Sequence, residues 1–157
     1  MILVAVGANL ADRHGALPIV TCCAAAEALR ALPGLRPVAL SRWYRTAPVP
    51  ASDQPDFCNG MVRLEGTCDP AWLLRRLHAI EAQAGRVRTV ANAARVLDLD
   101  LIDCNSAVCA GEVMLPHPRA AERGFVLLPL RDVAPDWVHP TLGLGVTALI
   151  ERLGRAR

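Results

Sequence analysis

The sequence predicts an α+β fold, an antiparallel sheet flanked by helices, and three observations carry that prediction. Short apolar runs and longer helical patterns follow one another in the order strand, helix, strand, strand, helix, strand. Asp69-Pro70 opens a segment in which Trp72, Leu73, Leu77 and Ile80 form an apolar stripe, which marks a capped amphipathic helix. Between residues 96 and 102, Asp98 and Asp100 alternate with Leu97, Leu99 and Leu101, the period-two pattern of a strand with two unlike faces.

The elements follow in order. Residues 1–6 are a short apolar run, a buried first strand, and Gly7-Ala8-Asn9-Leu10 is read as the loop after it. Residues 17–32 are rich in Ala and Leu, and helical up to Pro33-Gly34. Residues 38–44 read as a second strand with aromatics at its end, and 46–55, with three prolines, as a loop. A third strand covers 57–65 and the capped helix runs on to Gly85. An Arg-bearing loop over 86–94 leads into the alternating strand. A turn at Asn105-Ser106, a minor strand near Val113 and a loop at Pro116-His117-Pro118 come next. A short helix over 119–123, a mixed segment over 126–133 and a helix over 146–153 complete the reading. This is the split βαβ, ferredoxin-like arrangement. With no repeat, low-complexity tract or linker, residues 1–157 are expected to form a single domain.

Composition narrows the chemistry. A hydrophobic fraction of 53% with 20% charged residues suits a chain with one core rather than a disordered one. A formal charge of +2 gives no global field toward nucleic acid or membrane, and no apolar run reaches membrane-spanning length. All 17 basic residues are Arg, so a lysine Schiff base or P-loop lysine is excluded. Phosphate would have to be met by Arg, backbone amides and metal. The six cysteines, Cys22, Cys23, Cys58, Cys68, Cys104 and Cys109, include no C-x-x-C pair and no nearby His. Together with a start that lacks signal-peptide character, they point to reduced thiols in the cytoplasm.

The residues that can carry chemistry cluster. Asp98 and Asp100 project to one side of a strand, and oxygen ligands without His or Cys suit Mg²⁺ rather than zinc. A solvated sheet face would show the same alternation. Arg86, Arg88 and Arg95 beside the pair favour a metal-bound triphosphate. Phe57 and Asn59 share a strand face, the spacing of an aromatic platform and an amide that can read a flat heterocycle; core positions would look alike. Phe125, after Arg123-Gly124, is a second candidate platform. His117 becomes a phosphate donor if its loop folds near the phosphates. His78 and Glu81, three apart on a helix, share a face.

Gly85-Arg86-Val87-Arg88, then Asn92-Ala93-Ala94-Arg95-Val96-Leu97-Asp98-Leu99-Asp100-Leu101-Ile102, resembles the 6-hydroxymethyl-7,8-dihydropterin pyrophosphokinase family. Gly7-Ala8-Asn9-Leu10 is similar to that family's G-S-N-L opening. Tyr44-Arg45-Thr46 with Asp53-Gln54-Pro55-Asp56-Phe57-Cys58-Asn59 resembles its Y-R-T…Q-P-x-[FY]-x-N segment. Pro116-His117-Pro118 and Arg123-Gly124-Phe125 resemble its P-H…R-x-F segment. The resemblance implies the ferredoxin-like fold and a reaction in which ATP gives its β,γ-diphosphate to the pterin hydroxymethyl group, in folate biosynthesis. It implies two Mg²⁺ ions held by Asp98 and Asp100, with Arg86, Arg88 and Arg95 also catalytic. His78, Glu81, Arg86, Arg95, Ile102, His117 and Arg123 match ATP-binding positions. Thr46, Pro48, Val49, Phe57, Asn59 and Phe125 match pterin-binding ones. A monomer acting on small molecules is expected, with no nucleic-acid or membrane partner. Two departures stand out: Asn92-Ala93-Ala94-Arg95 replaces the W-G-P-R of many members, and His78 stands where many carry Gln. A two-metal nucleotidyl synthase on the same fold is disfavoured by the missing Lys and the Phe57/Asn59 pair. An RNA-binding module is disfavoured by an aromatic content of 4% and the Asp pair.

Overall fold

A computed structural model describes residues 1–85 and 94–155. Strand β1 (Ile2–Ala8) carries no charge and is buried along nearly its whole length, as a strand covered on both faces requires. It is the centre of the sheet, antiparallel to β4 (Phe57–Glu65) on one side and β5 (Asp98–Cys104) on the other. Strands β2 (Arg36–Leu40) and β3 (Tyr44–Thr46) both pair antiparallel with β4. The order β2-β4-β1-β5, with β3 also on β4, is the split βαβ arrangement of an α+β fold.

Helices cover both faces. Helix α1 (Pro18–Arg30) and helix α2 (Pro70–Gln83) lie on one side. There Cys22, Ala26, Leu29, Leu73 and Leu77 close over Ile2, Val4, Val6, Val62, Leu64 and Leu99. Asp69 caps α2, its side chain accepting the Ala71 N–H at 3.1 Å. On the other side, α3 (Gly124–Val133) and α4 (Val146–Arg155) bring Val126, Leu127, Leu130 and Leu149 onto Leu3, Met61 and Ile102. That second cover reaches only half the length of β1, and the site occupies the rest.

Several boundaries differ from the sequence expectation. The first strand continues through Gly7 and Ala8, because both pair with Asn59 and Cys58 on β4 and Gly7 also pairs with Asp98. The second strand is split into β2 and β3 at Ser41, whose hydroxyl takes the Met61 N–H at 2.8 Å while its own N–H donates to the Met61 carbonyl. The segment near Val113 is no strand, only one bridge between Cys109 and Leu115. The mixed segment is helix α3, in which Pro129 sits inside the apolar stripe Val126, Leu127, Leu130 and Val133. A 3-10 turn, Ala120–Glu122, stands where a short helix was expected. All six cysteines are free thiols, and among the described residues no helix is long and apolar enough to cross a membrane.

Candidate active site

The strand register builds the floor of the site. It sets Asn59, Gly7 and Asp98 side by side across β4, β1 and β5, and Met61, Ala5 and Asp100 in the adjacent row. Gly7 and Ala5 add no bulk at the centre, so a trough separates the Asn59 amide from the carboxylate pair. A Cβ on Gly7 would stand 2.7 Å from Asn59 Oδ1, which explains why no side chain is present there. Asn59 is itself buried and its Nδ2 donates to Thr46 Oγ1 at 2.6 Å, tying β4 to the start of the proline-rich loop. That bond fixes the amide orientation and turns its remaining edge toward the trough.

Two clefts meet over this floor. The first is walled by Thr46 at the end of β3, Pro48 and Val49 of the loop that follows, Phe57 and Asn59 of β4, and Phe125 of α3. The second is walled by Leu74 and His78 of α2, Met114 of the 109–115 turn, and His117 and Arg119 of the loop before α3. Among the described residues, four line both: Arg95, Asp98, Asp100 and Arg123. Arg123 is the residue that opens α3, and its guanidinium carbon lies 5.4 Å from the Phe125 ring centroid, a cation–π contact across the rim.

Electrostatics single out the shared residues. Arg95 Nη1 donates to Asp98 Oδ2 at 2.6 Å, a charge-assisted bond. The Asp100 carboxyl is pushed up to about 7, first by burial and then by the charge of Asp98. Burial, with Arg123 adding to it, holds the His117 imidazole below its ordinary range. The Arg119 N–H donates to His117 Nδ1 at 3.2 Å, so the neutral ring carries its proton on Nε2. The His117 backbone is anchored by its N–H to the Ile102 carbonyl at 2.9 Å.

The carboxylate pair fits a divalent cation. Two half-buried like charges, one of them raised first by burial and then by the other's charge, are what a cation relieves, and the donors are all hard oxygens. Among the described residues no cluster of three His, Cys, Asp or Glu side chains forms. A cation held there would draw its remaining oxygens from water or a bound ligand, the usual manner of Mg²⁺.

The structure does not bring every expected residue to the clefts. Ile102 is fully buried against α3 and lines neither cleft; its carbonyl alone serves the site, by holding His117. Glu81 is 1% exposed and accepts the Leu99 N–H at 2.9 Å, a strut between α2 and β5 behind the second cleft. His78, three residues earlier on α2, is exposed and lines the second cleft. Arg86 and Arg88 lie outside the described residues. Missed by sequence reasoning were Ala5 and Gly7 as the floor, Arg119, Met114, and the buried side chain of Asn9. Smallness at alternate positions of a central strand was the available signal for the floor.

A trough joins the two clefts at one carboxylate pair, leaving room for two ligands side by side. The family described as 7,8-dihydro-6-hydroxymethylpterin-pyrophosphokinase (HPPK) matches residues 3–135. A Methylorubrum extorquens 2-amino-4-hydroxy-6-hydroxymethyldihydropteridine pyrophosphokinase is 40% identical over 133 residues, 84% of this chain and 81% of that protein. The folic acid synthesis protein fol1 of Pneumocystis carinii is 35% identical over 121 residues, 76% of this chain; the chain spans only 16% of that longer protein. A solved Plasmodium falciparum HPPK-DHPS structure shares the fold with a TM-score of 0.70 at 12% identity, over 96% of this chain and 44% of that one. The chain belongs to the HPPK family.

Proposed function

We propose that this chain transfers the β,γ-diphosphate of ATP to the hydroxymethyl group of 6-hydroxymethyl-7,8-dihydropterin, releasing AMP, as a pyrophosphokinase of folate biosynthesis. The observation that carries the reading is the set of four residues lining both clefts, for a transferred group must touch both ligands. In this reading the first cleft takes the pterin. Phe57 and Phe125 flank the ring, and the Asn59 amide reads its amide-like edge. The second cleft takes the nucleotide, with His117 Nε2–H donating to a phosphate oxygen.

Bond making joins the hydroxymethyl oxygen to the β-phosphorus while the bond from that phosphorus to the α-phosphate oxygen breaks, AMP leaving and the hydroxyl proton passing to solvent. Arg95 and Arg123 stand at this junction and neutralise charge on the transferred group. With no lysine in the chain, every fixed cation is a guanidinium, charged throughout the physiological range and able to fork onto two oxygens. Asp98 and Asp100 would hold Mg²⁺, two ions in this proposal, which when bound supplies Lewis acidity and clamps the phosphate oxygens. The enzyme acts as a cytoplasmic monomer on small molecules, in keeping with free thiols and a formal charge of +2.

The test is incubation of the full chain with ATP, Mg²⁺ and 6-hydroxymethyl-7,8-dihydropterin, with nucleotide products followed by chromatography. AMP and pterin diphosphate are expected in equal amounts. ADP in place of AMP, or no turnover of this pterin, defeats the reading.

A further inference from the structure

We propose that Asp132 is a positioning residue for the first cleft, setting through Tyr44 how far apart two of its walls stand. One wall is β3, which supplies Thr46, and the other is α3, which supplies Phe125. Strand β3 has only three residues and, among the described residues, pairs with β4 alone. So short an edge strand is weakly held by its ladder. Asp132, at the far end of α3, supplies a second tie: its Oδ2 accepts the Tyr44 hydroxyl at 2.8 Å. Arg42 forks onto the same carboxylate, Nη2 to Oδ1 at 2.9 Å and Nε to Oδ2 at 3.2 Å, and its backbone N–H donates to Oδ2 at 3.2 Å. Arg42 Nη2 also donates to the Tyr44 oxygen at 3.0 Å, closing a ring of three side chains. The Arg42 guanidinium, against some burial, holds the Asp132 carboxyl below its ordinary range and so keeps it an acceptor.

Spacing along each element carries that tie into the cleft. Tyr44 and Thr46, two apart on a strand, share a face about 7 Å from one another. Phe125 and Asp132, seven apart on a helix, share a face too, about 10 Å apart along the axis. The Tyr44–Asp132 bond is thus a closed rung beside the open span between Thr46 and Phe125. Tyr44 also lies opposite Asn59, in the row that runs on through Gly7 to Asp98. Thr46 Oγ1 in turn accepts the Asn59 Nδ2 bond at 2.6 Å. Without the rung, β3 and α3 separate, and Thr46, the Asn59 amide and the Phe125 ring lose their mutual spacing. Arg95 and Asp98, bonded to each other beyond the trough, keep theirs.

This inference rests on the functional reading above, which assigns the first cleft to the pterin. Steady-state kinetics on the full chain with ATP, Mg²⁺ and 6-hydroxymethyl-7,8-dihydropterin give kcat and both KM values for wild type, Tyr44→Phe, Asp132→Asn and the double variant. Tyr44→Phe keeps the ring and removes the hydroxyl. It is expected to raise the KM for the pterin about fivefold, roughly the worth of one hydrogen bond, with kcat and the KM for ATP within about twofold of wild type. Asp132→Asn keeps the shape and loses the charge shared by Arg42 and the hydroxyl, for a rise of about tenfold in the same constant. Both changes act through one bond, so the double variant should match Asp132→Asn rather than multiply the two effects. A merely structural Asp132 would lower melting temperature and leave the pterin KM alone. An unchanged pterin KM in the folded variants, equal rises in both KM values, or effects that multiply overturn the positioning role and leave the functional reading standing. Tyr44→Phe decides the matter alone if Asp132→Asn does not fold. Absence of turnover in wild type overturns both.

Discussion

The two faces of this sheet are built from the same strands and have opposite fates. On the face toward α1 and α2, apolar side chains run without a break from Ile2 to Ala8 and are sealed under two helices. On the face toward α3 and α4, Leu3, Met61 and Ile102 are sealed, but Ala5, Gly7, Asn59, Asp98 and Asp100 line open clefts. A continuous apolar cover gives the free energy that fixes strand register. Register then sets the polar groups of the other face within reach of one another. Half a sheet face without cover is therefore how this fold makes a site, and α3, with Arg123 at its N-cap and Phe125 in its first turn, is both the end of the cover and the wall of the cleft.

The sharpest way to break the comparison is to change one face at a time. Asp98→Ala or Asp100→Ala is expected to lower kcat by at least about a thousandfold, the loss of several kcal/mol of charge stabilisation, with an unchanged circular dichroism spectrum. Near-normal turnover in either variant removes the carboxylates from the chemistry. Leu64→Ala on the sealed face should do the reverse. It empties a fully buried position on β4 and costs about 2–5 kcal/mol in denaturant unfolding, while turnover per folded molecule stays within about twofold. Equal losses of activity and stability would mean the faces are not separable.

A smaller effect tests the floor. Gly7→Ala puts a methyl 2.7 Å from Asn59 Oδ1, and the amide must swing away from Thr46. The expected result is a KM for the pterin raised by roughly tenfold, about the worth of one hydrogen bond, with the KM for ATP unchanged. A shift in both KM values would place the disturbance in the shared junction rather than in the pterin cleft.

How far the sequence foretold this follows the same division. The sealed face was legible because period and capping act locally: strand β4 and helix α2 fall where Gly66, Asp69 and Pro70 put their ends. Helix α3 was obscured by Pro129, which reads as punctuation although the surrounding apolar stripe outweighs one lost N–H. Gly7 reads as the end of a strand, yet neighbours on both sides keep pairing there, which no local pattern reveals. Among site residues, the parity of β5 foretold that Asp98 and Asp100 share a face. It could not foretell that α3 would bury Ile102 on that same face, or that Glu81 would turn inward to cap Leu99. Those outcomes depend on where helices stop, a tertiary fact.

The smallest expected effect concerns the carboxylates before any cation arrives. Asp100 has its pKa pushed from 3.8 up to about 7, so between roughly pH 4 and pH 7 the native protein holds a proton that the unfolded chain has released. Stability from this group is complete below about pH 4 and is lost as pH rises through about 7. His117 and His139, both lowered by burial, act with the opposite sign near neutrality, while the lowered Asp132 and Glu65 act at lower pH. All four are present in an Asp100→Asn variant, so subtraction isolates Asp100. In chelator-treated protein, melting temperature from pH 5 to pH 8 should fall further, or rise less, in wild type than in the variant. Mg²⁺ should erase the difference by offsetting the charge that costs stability. Parallel melting curves in the two proteins would mean that Asp100 is not held protonated, and the open half of the sheet would then carry its charge without penalty.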